Sequence, residues 1–233
     1  MKRGIGWWLV ACGACAPAWA LAAGTATVQA GDRTLTVSFD GDSARVDISG
    51  IPQGYLLMRD GKLYTIMQAG GRSLVLDGDA VAGLLGGRKL KFGPDMIRSL
   101  TRLKSTGTHE TVAGHAGVVY TVSYQDEQGR ARSGQGVLGA QPETQELTRV
   151  LGKMAVLMRQ TAGQVPASQS PDGAREVLDA LQSRGLGVLR YDQQFRVEQL
   201  SATPPAPGSL DLPAAPNQLP PELGQLLKGL TQP

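Results

Sequence analysis

Asp60-Gly61 stands between two apolar runs, Gly54–Met58 and Leu63–Met67, and obliges this stretch to turn back on itself as an antiparallel hairpin. The glycine supplies the positive φ that a two-residue loop needs. With that loop the ladder is fixed: Arg59 pairs with Lys62, Met58 with Leu63, Leu57 with Tyr64, Leu56 with Thr65 and Tyr55 with Ile66. Directly opposed residues share a face. One face therefore carries Leu56, Met58 and Leu63, and the other carries Tyr55, Leu57, Tyr64 and Ile66. Both are apolar, whereas a hairpin with one wet face would alternate. Something must cover both sides: helices, a second layer of sheet, a partner or a ligand.

The surrounding sequence repeats the antiparallel theme. Leu35, Val37 and Phe39 alternate with Thr34, Thr36 and Ser38, and Val46 and Ile48 alternate with Arg45 and Asp47, with Asp40-Gly41 between the two runs. The stretch from Thr25 to Leu76 reads as a meander. Residues 79 to 104 read as helical or irregular, with Pro94 opening a short helix through Met96, Ile97 and Leu100. Strands resume at about Ser105 to Val112, Val118 to Tyr124 and Arg130 to Leu138. After Pro142 comes the clearest helix, Glu143 to about Ala162, with Leu147, Val150, Leu151, Met154, Leu157 and Met158 on one stripe. Ser170-Pro171 caps a second helix that Gly185 ends, and Val188–Tyr191 and Phe195–Leu200 form a last strand pair.

Composition shifts beyond Thr203, because seven of the fourteen prolines lie between Pro204 and Pro221. Such a segment is neither a central strand nor a helix. It reads either as a tail wrapping the domain or as a semi-rigid linker, with a short terminal helix at Glu222 to Leu230. The expected organisation is an export signal at 1–22, one domain at 23–203 and a proline-rich tail at 204–233.

Met1-Lys2-Arg3 precedes an uncharged run from Gly4 to Gly31, with small residues in A-x-A patterns at Ala18–Ala20 and Ala20–Ala22. This is the layout of a secretory signal peptide cleaved after Ala22. Two other readings compete: an uncleaved anchor, and a lipoprotein signal in which Cys12 of Leu9-Val10-Ala11-Cys12 is acylated and the protein sits on the outer membrane. Cleavage would remove both cysteines and all three tryptophans. It would also leave 21 basic residues against 20 acidic ones, so that the net charge falls from +3 to +1. Nothing in that balance invites nucleic acid or an anionic membrane surface. A mature chain of 211 residues without disulfides must be held by its hydrophobic core, and it is long enough for that.

The residues do not assemble a catalytic or metal-binding motif. His109 and His115 are the only histidines; they read as solvated strand-edge residues, since zinc needs three or four ligands and no cysteine remains. No G-x-S-x-G elbow is present, and two histidines leave a triad almost without a base. Asp and Glu are plentiful, but Asp40, Asp60, Asp77 and Asp126 fall in turns that account for them. Gly134-Gln135-Gly136-Val137-Leu138-Gly139 matches the dinucleotide fingerprint letter for letter. However, antiparallel strands surround it and Pro142 separates it from the next helix, so it reads as a strand end. Met58, Met67, Met96, Met154 and Met158 read chiefly as core filling, although flexible thioethers also suit a site for varied acyl chains.

Three segments carry a resemblance: GYLLMRDGKLYTIM at Gly54–Met67, ETVAGHAGVVYTVSY at Glu110–Tyr124, and the late strand pair with the proline-marked stretch around Pro207–Pro213. Together they resemble a family of secreted bacterial proteins of unknown function, itself similar to the LolA, LolB and LppX lipoprotein and lipid carriers. The likeness spans about residues 30 to 215 and its motifs are structural. Gly136–Gly139 departs from it, since a bulkier strand, often with Trp, is expected there. The resemblance implies a mostly β, α+β fold: a curved antiparallel sheet forming an incomplete barrel of about ten strands, with helices packed in its mouth around an apolar cavity.

These readings together lead to the expectation of a non-catalytic periplasmic or secreted protein, with no cofactor and no metal, that binds a lipid or acyl chain. Tyr55, Leu57, Tyr64 and Ile66 would line the sheet side of the site, and Met154, Leu157 and Met158 the helix side. The competing expectation is an envelope interaction module with a filled core, whose tail or edge strand binds another protein.

Overall fold

A computed structural model of the chain describes residues 22–51, 54–78, 80, 97–126, 128–161 and 173–217. The export signal with Cys12, the start of the expected helix at Pro94, the Ser170-Pro171 cap and the terminal helix at Glu222 to Leu230 lie outside these residues; Ala22 is the first within them.

Eleven strands form one antiparallel sheet: β1 (Gly24–Ala30), β2 (Arg33–Asp40), β3 (Ser43–Ile48), β4 (Gly54–Arg59), β5 (Lys62–Ala69), β6 (Arg72–Asp77), β7 (Ile97–Val112), β8 (His115–Asp126), β9 (Ala131–Gly139), β10 (Gly187–Tyr191) and β11 (Phe195–Ser201). Two helices, α1 (Pro142–Thr161) and α2 (Gly173–Gln182), stand between β9 and β10 in sequence. The spatial order is β6-β5-β4-β3-β2-β1-β11-β10-β9-β8-β7. Two meanders are thus joined where the first strand pairs with the last. The sheet is open, with β6 and β7 at its edges.

The β4–β5 ladder follows the register set by the Asp60-Gly61 loop, from Arg59–Lys62 to Gly54–Met67. Asp60 and Gly61 both take positive φ, at 52° and 70°. On the face holding Leu56, Met58 and Leu63, opposed rows continue through Val46, Val37 and Ala26 and through Ala44 and Phe39. This face meets Leu147, Val150 and Met154 of α1 in the main core. Each such side chain, fully buried, contributes roughly 1.5–3 kcal/mol. The helical stripe is therefore spent on the sheet, as its spacing requires.

One expectation fails at Ile97. Instead of a helix running through Ile97 and Leu100, these residues open the sixteen-residue strand β7, which pairs with β8 from Ile97–Asp126 onward. Leu100 and Leu103 occur at helical spacing, but they reach one face through register breaks between Ile97 and Ser99 and between Leu100 and Arg102. Bulges can mimic a helical period.

The β7–β8 hairpin bends. Its register breaks again between Ser105 and His109, around Gly107 at φ +78°. Beyond that bend β7 touches β11, although three strands lie between them, so this end of the sheet folds back on itself. Arg190 clasps Glu110 through Nε at 3.0 Å and Nη2 at 2.8 Å. His115 Nε2 lies 3.3 Å from the Leu200 carbonyl oxygen, and its Nδ1 lies 3.4 Å from Glu143 Oε1. His109 is exposed as expected, but His115 is a partly buried bridge rather than a solvated edge residue.

The proline-rich segment wraps the domain. Leu210 and Leu212 cover Leu57, Tyr64, Ile66 and Val75, on the sheet face opposite α1. Arg59 Nη1 donates to the Leu210 carbonyl oxygen at 2.9 Å and also engages the Asp211 carboxylate. Asn217 then docks on the β6 edge: its amide donates to Val75 O at 2.8 Å and its Oδ1 accepts from the Asp77 amide at 3.1 Å. Two polar groups of the edge strand are satisfied in this way.

Candidate functional site

A cleft of about 380 Å³ opens where α1 and α2 meet the β2–β3 and β4–β5 turns. Met58, Val156, Leu157 and Leu178 supply its apolar surface; Asp42 and Gly61 mark the turns, and Arg149, Lys153, Arg175 and Asp179 stand on the helical sides. Each element owes its place to local sequence. The Asp60-Gly61 loop aims Met58 at the helix, and the α1 stripe carries Leu157. Gly152 lets α2 approach α1 closely, because a Cβ there would overlap the Leu178 side chain.

The rim is a clasp. Arg149 Nη1 donates to Asp42 Oδ1 at 2.6 Å, Nη2 to the Gly41 carbonyl at 2.7 Å, and Nε to Glu146 Oε2 at 2.9 Å. Lys153 Nζ shares Asp42 Oδ1, also at 2.6 Å. Hydrogen bonds from Lys153, then Arg149, hold the Asp42 carboxyl below its ordinary pKa. The Glu146 carboxylate raises that of Arg149 further still. Both cations are thus occupied by carboxylates, and among the described residues no histidine, cysteine, serine or threonine lines the cleft. Such a pocket can hold an apolar group by burial. Among the described residues no group of three or more His, Cys, Asp or Glu could hold a metal ion, and no helix is long and apolar enough to cross a membrane.

The seven residues expected to line a ligand divide between two places. Leu157 lines the cleft, and Met154 and Met158 pack in or against the main core on the same side of the sheet. Leu57, Tyr64 and Ile66 lie on the opposite face beneath Leu210 and Leu212, and Tyr55 packs against the same cluster. The sheet stands between them and the helix residues. Opposed rows across a ladder reveal which residues go together but not which row faces the helices, and the sheet side of the cleft is Met58. Val156, Leu178 and the Asp42–Arg149 contact carried no signal of their own, since they depend on how distant elements dock.

The Gly134–Gly139 motif lies in β9, paired on both sides with antiparallel neighbours, and Gly136 is flanked by Tyr120 and Tyr191. A Cβ at Gly134 would overlap the Tyr191 hydroxyl and the Asp192 carboxylate. These glycines make room for a cross-strand tyrosine. Burial and a hydrogen bond with Tyr124 raise the pKa of that tyrosine.

Comparison of the chain with protein-family models, with curated proteins and with solved structures gives no match.

Proposed function

We propose that the chain is a non-catalytic protein of the bacterial cell envelope, exported to the periplasm or secreted, that holds a lipid or acyl chain between its sheet and its helices. In this reading the fold is an incomplete barrel of the kind used by LolA-like carriers, with α1 and α2 standing in its mouth. The single observation that carries the proposal is the cleft. About 380 Å³ of space on an apolar floor falls within the usual range for ligand pockets, roughly 300–1,000 Å³. Affinity would come from burying hydrocarbon, at about 25 cal/mol per Å² of apolar surface.

One observation favours the second reading, an interaction or structural module: the chain's own tail fills the outer apolar face. Titration with a fluorescent fatty acid separates the two. The carrier reading expects saturable uptake of one molecule per chain, weakened at least tenfold by Leu157→Asp or Leu178→Asp in variants that retain the wild-type circular dichroism. No saturable uptake by the wild-type protein overturns it.

A further inference from the structure

The charges around the cleft divide into two sets. Arg149 and Lys153 are taken up by Asp42 and Glu146, two cations against two carboxylates. Arg175 and Asp179 also line the cleft, from α2, and neither pairs with the other or with any other described residue. Both are exposed, and they flank Leu178, which belongs to the apolar floor. We infer, on the carrier reading above, that Arg175 and Asp179 recognise the head of a single-chain amphiphile carrying both a phosphate and an ammonium, as in a lysophosphatidylethanolamine.

The charge balance points to such a head. Once the first set cancels, the mouth of the cleft offers one positive and one negative group, and a zwitterion meets both. A fatty-acid carboxylate would engage Arg175 alone and would face Asp179 as a like charge. The order of the two residues keeps them available. At a spacing of four on a helix the favourable arrangement puts the acid first, whereas here the base comes first, so the pair gains little by closing on itself.

Spacing and volume agree with this assignment. Cβ atoms four residues apart on a helix lie about 5–6 Å from each other, on the order of the span between a phosphate and an ammonium joined by two carbons. An arginine fork grips phosphate oxygens bidentately, and a carboxylate accepts hydrogen bonds from an ammonium. The cleft, at about 380 Å³, stands at the low end of the range for ligand pockets, which suits one acyl chain over Met58, Leu157 and Leu178 rather than two. Gln160 and Gln182 at the same mouth bring amide donors and acceptors for the ester and hydroxyl of a glycerol backbone. Burial of the chain supplies most of the affinity, and the exposed charges add a preference among heads.

Isothermal titration calorimetry of the full chain tests the assignment with three ligands of equal acyl length, each below its micelle concentration: lysophosphatidylethanolamine, lysophosphatidic acid and monoacylglycerol. The first is expected to bind about fivefold more tightly than either of the others, the scale of an exposed charge contact. Arg175→Gln and Asp179→Asn each erase that margin, while monoacylglycerol binds both folded variants as it binds the wild type. Free phosphoethanolamine, which lacks the chain, gives no saturable heat. Equal affinity for the three lipids, tightest affinity for lysophosphatidic acid, or a margin that survives both substitutions overturns the inference and leaves the carrier reading in place. Saturation by free phosphoethanolamine as tight as by its lipid also overturns it, since the charges would then serve a soluble ligand. Binding of none of the three lipids overturns the carrier reading and this inference together.

Discussion

Arg149 on α1 reaches Asp42 in the β2–β3 turn at 2.6 Å, across more than a hundred residues of sequence, and holds the helix against the mouth of the cleft. The same guanidinium satisfies Glu146, whose side chain is only 6% exposed. Breaking a buried pair strands the remaining charge. Arg149→Met is therefore expected to lower stability by about 3 kcal/mol in urea unfolding, and much of that loss should return in the double variant with Glu146→Gln. Additive losses would show that the pair is not coupled.

The proline-rich strap makes a second prediction. Replacing Leu210 and Leu212 with Ser uncovers Leu57, Tyr64, Ile66 and Val75 and is expected to cost about 2 kcal/mol, since both leucines are only partly buried. For a chain of this size the melting temperature should fall by roughly 4–8 °C. Hydrogen exchange should quicken first at β5 and β6, where the strap lies and Asn217 docks. Unchanged exchange there would mean that the strap contributes nothing to the sheet.

The β meander, the Asp60-Gly61 register, the α1 stripe and the two-faced hairpin were all legible in the sequence, because period and turn chemistry are local properties. The two faces were read correctly as needing cover. What covered them was not legible: α1 lies over Met58 and the strap lies over Leu57, and nothing within the hairpin distinguishes these assignments. The strand at Ile97 was hidden because two register breaks, at Ile97–Ser99 and Leu100–Arg102, interrupt its period and let Leu100 and Leu103 imitate a helix. The site suffered most, since Leu178, Val156 and Asp42 meet only through tertiary docking.

Acid should unfold the protein through Asp126. This carboxylate is fully buried at the β8–β9 turn. Burial works to raise its pKa, but the Arg130 amide and the Arg130 and Arg132 guanidiniums outweigh burial and hold it at about 2, against an ordinary 3.8. A carboxyl depressed in the folded state contributes stability above its unfolded pKa and loses it as pH falls through its folded value. The stability–pH curve should therefore steepen between about pH 4 and pH 2. Asp126→Asn should flatten that limb while lowering stability at pH 7. An unchanged acid limb in the variant would place the sensitivity elsewhere.

Gly152 sets the helix crossing. Gly152→Val would drive a branched side chain into Leu178 and is expected to cost about 1–3 kcal/mol. Because Leu178 lines the cleft, uptake of a fluorescent fatty acid should weaken in step, whereas Gly152→Ser, being smaller, should lose less of both. Equal uptake by the wild type and a folded Gly152→Val variant would show that the cleft tolerates a displaced α2.

The most direct measurement is native mass spectrometry of the protein purified from the cell envelope without detergent, followed by solvent extraction of anything bound. The account predicts a reproducible adduct of lipid mass that disappears in folded Leu157→Asp protein. A clean apoprotein mass, with no adduct after incubation with phospholipid or fatty acid, would contradict it.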